Sequence, residues 1–358
     1  MIRTTGIFVL SFFVFMSLCY SQDSITERKT KKIKILPVPA LGYSPETKFY
    51  FGAVALFQMN FYQDTLTRTS NAKVELNYTM RKQFIAEAEW NYFFKEEKWF
   101  TNGILHFSKF PDLYYGIGPN TINTNELNYQ SNRAKIDLNL LRQVSKGHFI
   151  GGGLKYVDYW DVASLTDMTI PFQELNDTRT LGLQVQYLID KRNSILTPTN
   201  GYYMRFYNAE LSTANGVYAQ FSVDLRKYHT LGKKKNHTFS GRAYTVLNTS
   251  NAPFFDIALL GGDKLVRGYY FGRFRDLSLS TVQMEYRYTL YKWFGLSGFA
   301  GISTMYHNTE TFGTYIRPNA GVGLRIKVDK NENTNLRFDY AIGNDGQSGF
   351  YVSFGESF

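Results

Sequence analysis

The sequence predicts an all-β protein, a transmembrane antiparallel β-barrel, and three observations carry that reading. Apolar and polar residues alternate with period two along most of the chain, which would set one face of each strand against lipid and the other against a wet lumen. The alternating stretches run about ten residues each, the length a tilted strand needs to cross a bilayer. Beyond the N-terminal leader no segment holds about 18 consecutive apolar residues, so no helix can span. Only helices and closed barrels satisfy every backbone polar group in lipid. A soluble sandwich would show shorter strands and an apolar interior.

The composition agrees. Tyr and Phe number 27 and 30 among 358 residues, and both favour strands and membrane interfaces. The net charge of +10 is spread along the chain rather than gathered in one arm. Lipid phosphates are therefore a more natural partner than nucleic acid, for which no module is visible.

Residues 1–21 read as a secretory signal. Arg3 gives the positive start, Ile7 to Leu18 a short apolar run, and Ser21 a small residue before Gln22. Cys19 could instead be a lipidated cysteine, but Leu18 stands where a small residue is expected. If Cys19 leaves with the signal, the chain can form no disulfide. Residues 22–32 form a short polar segment, expected in the periplasm, and the barrel is expected over 33–358.

The first strand, Ile33–Tyr43, contains Pro37 and Pro39. Proline suits an edge or seam strand, because it cannot donate to a ladder. Further along, Val74, Leu76, Tyr78 and Met80 oppose Lys73, Glu75, Asn77 and Thr79. Val217, Ala219, Phe221, Val223 and Leu225 oppose Tyr218, Gln220, Ser222, Asp224 and Arg226. Val282, Met284, Tyr286, Tyr288 and Leu290 oppose Thr281, Gln283, Glu285, Arg287 and Thr289. Leu336, Phe338, Tyr340 and Ile342 oppose Asn335, Arg337 and Asp339. Strand centres fall near positions 38, 54, 75, 88, 103, 137, 153, 184, 206, 223, 242, 285, 299, 322, 338 and 353. That makes about sixteen, an even number, as single-chain bacterial barrels have. The connections sort by side. Phe110–Gln130, Trp160–Thr178, Thr249–Leu277 and Met305–Thr314 are mostly long and belong outside. Ser145–Gly147, Gly232–Asn236, Tyr291–Trp293 and Asp329–Asn333 are short and belong in the periplasm. Trp90, Trp99, Trp160 and Trp293, near strand ends, read as interface belts. The last strand alternates and ends on Phe358, with Phe354 before it.

One stretch fits neither strand nor helix: Leu259–Asp276, LLGGDKLVRGYYFGRFRD. Gly261, Gly262, Gly268 and Gly272 break any period. It mixes Asp263, Lys264, Arg267, Arg273 and Arg275 with Val266, Tyr269, Tyr270 and Phe271. A loop both charged and aromatic suits a wet interior better than open solvent.

These residues carry a resemblance. Val266-Arg267-Gly268-Tyr269, preceded by GGD and followed by Gly272-Arg273-Phe274-Arg275-Asp276, resembles the signature of the BamA/TamA superfamily, the bacterial surface antigen family. Asp190-Lys191-Arg192-Asn193 with Pro198 and Gly201 resembles a second family motif, a turn between strands. Leu336 to Gly343 resembles a third, and the terminal segment with Phe354 and Phe358 resembles the last strand that barrel-assembly machinery reads. The matches cover the chain from its middle onward; the early strands match by pattern alone.

The resemblance implies a sixteen-stranded barrel whose sixth outer loop, here Leu259–Asp276, folds back into the lumen. Arg267 would then enter a low-dielectric interior and need an acidic partner. Asp339 and Glu285 face inward by the alternation. Asp339 is the expected main contact through a bidentate fork, with Glu285 nearby. Alternatively both carboxylates merely solvate the lumen alongside Arg325 and Arg337. Family members usually carry soluble POTRA modules before the barrel. Here only the stretch from Gln22 to about Lys32 precedes it, so a separate periplasmic partner protein would be needed.

The implied role is insertion or translocation of outer-membrane proteins or lipids, with client barrel proteins pairing at the seam between first and last strands by β-augmentation. The alternative is a passive pore or a structural subunit of an outer-membrane complex. An enzyme is not expected. His106, His148, His229, His237 and His307 show no spacing for a metal or a catalytic pair. Asp345 and Ser348 read as part of an outer hairpin. No catalytic residue, metal or cofactor is predicted.

Overall fold

The computed structural model describes residues 33–62, 64, 66–122, 126–165, 175–213, 216–232, 234, 236–329 and 334–358. The expected signal, Cys19 and the polar segment 22–32 lie outside the described residues. The strands are β1 (Ile33–Ser44), β2 (Lys48–Met59), β3 (Ser70–Thr79), β4 (Phe84–Phe93), β5 (Trp99–Tyr114), β6 (Leu127–Ser145), β7 (His148–Ser164), β8 (Thr178–Asp190) and β9 (Gly201–Thr213). They continue as β10 (Val217–Leu231), β11 (His237–Asn248), β12 (Ala258–Leu260), β13 (Phe274–Asp276), β14 (Ser278–Tyr291), β15 (Phe294–Tyr306), β16 (Ile316–Asp329), β17 (Thr334–Gly343) and β18 (Ser348–Phe354). Sixteen form one sheet in chain order, each antiparallel to the next, and β12 pairs only with β13. Among the described residues no helix is long and apolar enough to cross a membrane.

The burial pattern inverts that of a water-soluble fold. On β8, Leu181, Leu183 and Val185 point outward, 56%, 61% and 52% exposed, while Thr180, Gln184 and Gln186 are buried. On β14, Val282, Met284 and Tyr286 are exposed and Thr281, Gln283, Glu285 and Arg287 are buried. An outer surface this apolar, repeated strand after strand, is stable only against lipid.

Two expectations need correction. The stretch Phe110–Gln130 is not all loop, because β5 and β6 run 16 and 19 residues and pair out to Tyr114↔Leu127. Tyr114, Leu127 and Tyr129 pack with Phe254, so apolar packing extends the ladder above the membrane-length core. The stretch Thr249–Leu277 contains the small β12–β13 hairpin, with Ala258 opposite Asp276 and Leu260 opposite Phe274. Three paired residues are too few to show as a period in sequence.

The sheet curls until β1 and β18 lie side by side, yet they are not ladder partners. The Tyr43 and Phe350 rings are 6.3 Å apart, and Tyr50 Oη, from β2, donates to the Val352 carbonyl at 2.9 Å. Two causes are visible: β18 has only 7 residues, and Pro37 and Pro39 of β1 have no N–H to offer.

Candidate functional site

The β11–β14 connection enters the lumen and buries its apolar side chains there. Leu260, Val266, Tyr269 and Phe274 are fully buried against Val246, Leu279 and Met305. At the tip the chain needs glycine. Gly268 has φ 105°, and a Cβ there would lie 2.8 Å from the Ile342 carbonyl group. This close approach lets the Gly268 N–H reach Tyr351 Oη at 3.0 Å. Asn319 Nδ2 donates to the Arg267 carbonyl at 2.8 Å, and Tyr269 Oη reaches the Pro318 carbonyl at 2.6 Å.

Arg267 is 1% exposed. Its guanidinium is shared between two carboxylates. Nη1 donates to Asp339 Oδ2 at 2.5 Å and Nη2 to Glu285 Oε2 at 2.5 Å. Its Cζ also lies 3.4 Å from the Phe299 ring centroid. Asp339 is thus a contact, with Glu285 beside it as expected, but Arg267 gives one arm to each carboxylate instead of a two-pronged fork to Asp339. Asp339 also receives Arg325 Nη1 on Oδ1 at 2.6 Å and Arg337 Nη1 on Oδ2 at 2.9 Å, so Arg267 shares Oδ2 with Arg337. Arg325 and Arg337 do not simply solvate the lumen; they complete the network. Arg325 also reaches Glu285 at 3.3 Å, and Arg337 reaches Asp263 at 3.1 Å.

Sequence reasoning missed the other end of this network. After Gly355, with φ 76°, the chain leaves β18 and turns inward. Glu356 Oε2 accepts from Arg325 Nε at 2.7 Å, and Glu356 Oε1 from Asn335 at 2.7 Å. Arg267, Arg287, Arg325 and Arg337 thus stand among Asp263, Glu285, Asp339 and Glu356, four cations with four carboxylates. Ser357 Oγ donates to the Asp263 carbonyl at 3.0 Å, tying tail to loop. Phe358 is buried beyond the strand, whereas Phe354 pairs with Leu336 as its last residue. The two phenylalanines therefore do not share one alternating strand, because the turn at Gly355 separates them. No sequence periodicity reaches past Gly355, so only the presence of a carboxylate near the chain end could have drawn attention to Glu356.

The Asp190–Gly201 segment connects β8 to β9. Asp190 takes Arg192 Nε and Nη2, both at 2.9 Å. The Asn193 side chain accepts the N–H groups of Thr199 and Asn200, both at 3.0 Å. Gly201 has φ 106°, and the Pro198 carbonyl accepts Arg287 Nη1 at 3.1 Å. The turn thus touches the lumen network through Arg287, and it meets the tail where Glu356 N–H donates to the Leu196 carbonyl at 3.1 Å.

The outer end of the loop has separate anchors. Arg275, 3% exposed, reaches Asp112 and Tyr129 at 3.3 and 3.2 Å. Arg273 donates to Thr121 Oγ1 and to its carbonyl, both at 2.8 Å. The Phe271 N–H meets Glu46 Oε1 at 2.6 Å. Burial pushes the Glu46 carboxyl above its ordinary range, against the hydrogen bonds from Ser44 and Phe271. Asp345 pairs with Arg317.

Among solved structures, the chain resembles BamA from Haemophilus ducreyi lacking POTRA domains 1–3, at 13% identity and TM-score 0.59, over 90% of this chain and 70% of that one. It also resembles CdiB from Acinetobacter baumannii, at 14% identity and TM-score 0.59, over 90% of this chain and 60% of that one. At such identities the likeness speaks for the fold alone. Curated protein sequences give no match. The Omp85 superfamily domain matches residues 56–358, most of the chain, and with the lumen-folded loop carrying Val266-Arg267-Gly268-Tyr269 this makes the chain a member of the Omp85 superfamily.

Proposed function

We propose that this barrel resides in the bacterial outer membrane and assists insertion or translocation of outer-membrane proteins or lipids, together with a separate periplasmic partner. The observation that carries the reading is the seam. β1 and β18 adjoin without ladder pairing, so each offers backbone groups that a client strand could take by β-augmentation. Arg267, held between Asp339 and Glu285, is the lock that keeps the loop in the lumen while the seam works. The periplasmic partner would collect clients, and lipid at the seam would be thinned or disordered.

The test is reconstitution of the chain in liposomes, following the folding of a denatured test barrel. Acceleration over empty liposomes, abolished by an engineered disulfide between β1 and β18 and restored by reduction, is the expected result. Acceleration that survives the disulfide would sink the seam mechanism. No acceleration, with or without a periplasmic extract, would favour a passive pore or a structural subunit.

A further inference from the structure

We infer that the lumen holds a binding site for a phosphorylated sugar, free or as the headgroup of a glycolipid, in a cavity of about 560 Å³ lined by β2–β6 and β9–β11. The inference goes beyond the role proposed at the seam and does not rest on it. The volume lies within the roughly 300–1,000 Å³ of small-molecule sites. Two kinds of lining carry the reading, and the first is an array of guanidinium groups. The strand register sets Arg226 opposite Tyr203 and Arg242, and Asp224 opposite Arg205 and Tyr244. Asp224 serves two arginines at once. Its Oδ1 accepts from Arg226 Nε at 2.9 Å and Arg242 Nε at 3.0 Å, and its Oδ2 from their Nη2 atoms at 2.6 and 2.9 Å. The lone-pair positions of that carboxylate are thereby taken. Arg205 adds a third cation opposite the same carboxylate, so the array keeps two positive charges in surplus. Asp224 is 1% exposed and Arg226 18%, and the arginines, not the carboxylate, line the cavity.

The array is fixed in shape by its neighbours. Arg226 and Arg192 lie 4.9 and 4.5 Å from the centroid of the Tyr203 ring, and Arg242 lies 5.2 Å from that of Tyr244. Arg242 Nη1 also donates to the Lys264 carbonyl at 2.8 Å. Planar forks held in place suit a phosphate monoester, whose charge at neutral pH approaches the surplus. The carboxylates elsewhere on the lining are paired: Glu75 and Glu89 with Lys73, Asp137 with Lys135, Asp190 with Arg192 and Glu356 with Arg325. None of them stands bare to repel an anion. The second lining is neutral. Gln58, Asn71, Asn91, Asn102 and Asn139 stand opposite one another in turn across β2 to β6, one row of amides on five adjacent strands. They bond sparsely among themselves, Asn91 to Asn71 at 3.3 Å and Asn139 to Asn102 at 3.2 Å. Each amide both donates and accepts, as sugar hydroxyls do, and an uncharged row does not compete with the arginines for the phosphate.

Isothermal titration calorimetry on the purified, folded barrel in neutral detergent tests this, with glucose 6-phosphate, glucose and inorganic phosphate as probes. Glucose 6-phosphate should bind about tenfold or more tighter than inorganic phosphate, and glucose should give no heat. Arg226→Gln should weaken glucose 6-phosphate by about tenfold or more, while Arg242 still holds Asp224. Asn91→Leu combined with Asn102→Leu should leave inorganic phosphate unchanged and bring glucose 6-phosphate down to its level. Heat-modified gel mobility confirms that each variant is folded. A phosphorylated glycolipid in mixed micelles separates the two sources. Binding tighter than that of glucose 6-phosphate, and lost in Arg226→Gln, assigns a headgroup; equal or weaker binding assigns a free sugar phosphate. No binding of either sugar phosphate to the folded wild type overturns the inference. So does inorganic phosphate that binds equally well, or an affinity that neither set of substitutions moves.

Discussion

Arg267 shows how one guanidinium can hold a loop. It sits between Asp339 and Glu285 with a hydrogen bond to each, so removing it leaves buried carboxylates short of a partner. Breaking a buried pair from one side costs about 3–5 kcal/mol. Arg267→Ala should therefore lower the temperature at which the folded barrel shifts on a detergent gel, and an unchanged transition would refute the lock. Arg267→Lys should recover only part of the loss, because a single ammonium cannot present two arms in a plane. Gly268→Ala should also destabilise, since φ is positive and the Ile342 carbonyl blocks a Cβ. Glu46 behaves oppositely. Its carboxyl is raised by burial, so the folded chain holds an extra proton above the unfolded titration. The stability contributed there falls as pH rises through that window. Glu46→Gln keeps an acceptor for the Phe271 N–H and should remove the pH slope at little cost. Glu46→Ala strands that N–H and should cost about 1–3 kcal/mol. Thermal melts of both variants across pH decide it.

Among the elements, the loop and the tail act as one unit. Glu356 binds the same Arg325 that binds Asp339 and Glu285, and Ser357 binds the Asp263 carbonyl. Groups in one network are not additive. Glu356→Gln should expose the loop to added protease, and a double-mutant cycle of Glu356→Gln with Arg267→Ala should show coupling above about 0.5 kcal/mol. Additive losses would mean that the tail merely rests beside the lock. The strands themselves were legible. Val282, Met284 and Tyr286 against Gln283, Glu285 and Arg287 announce both a strand and its two faces, because side chains alternate with strict period two. The β12–β13 hairpin was not legible, because three residues carry no measurable period.

For the whole molecule, the unpaired seam is the feature most open to test. Cross-linking β1 to β18 should raise the melting temperature if the seam limits stability, and leave it unchanged if the barrel first opens elsewhere. The sequence by itself determined the all-β class, the sixteen-strand count, the outward apolar belt, and the inward placement of Glu285 and Asp339 facing a loop that carries Arg267. Periodicity suffices for this, since it reports which face a residue occupies. The tertiary structure alone decided the partners. It divided Arg267 between two carboxylates, placed Phe299 under its guanidinium and turned Glu356 back into the network. Those outcomes depend on strand register, on the path of a glycine-rich loop and on a chain end that leaves its strand. None of them is encoded in the alternation of neighbouring residues, because each joins groups far apart in sequence whose separation is set only when the sheet curls.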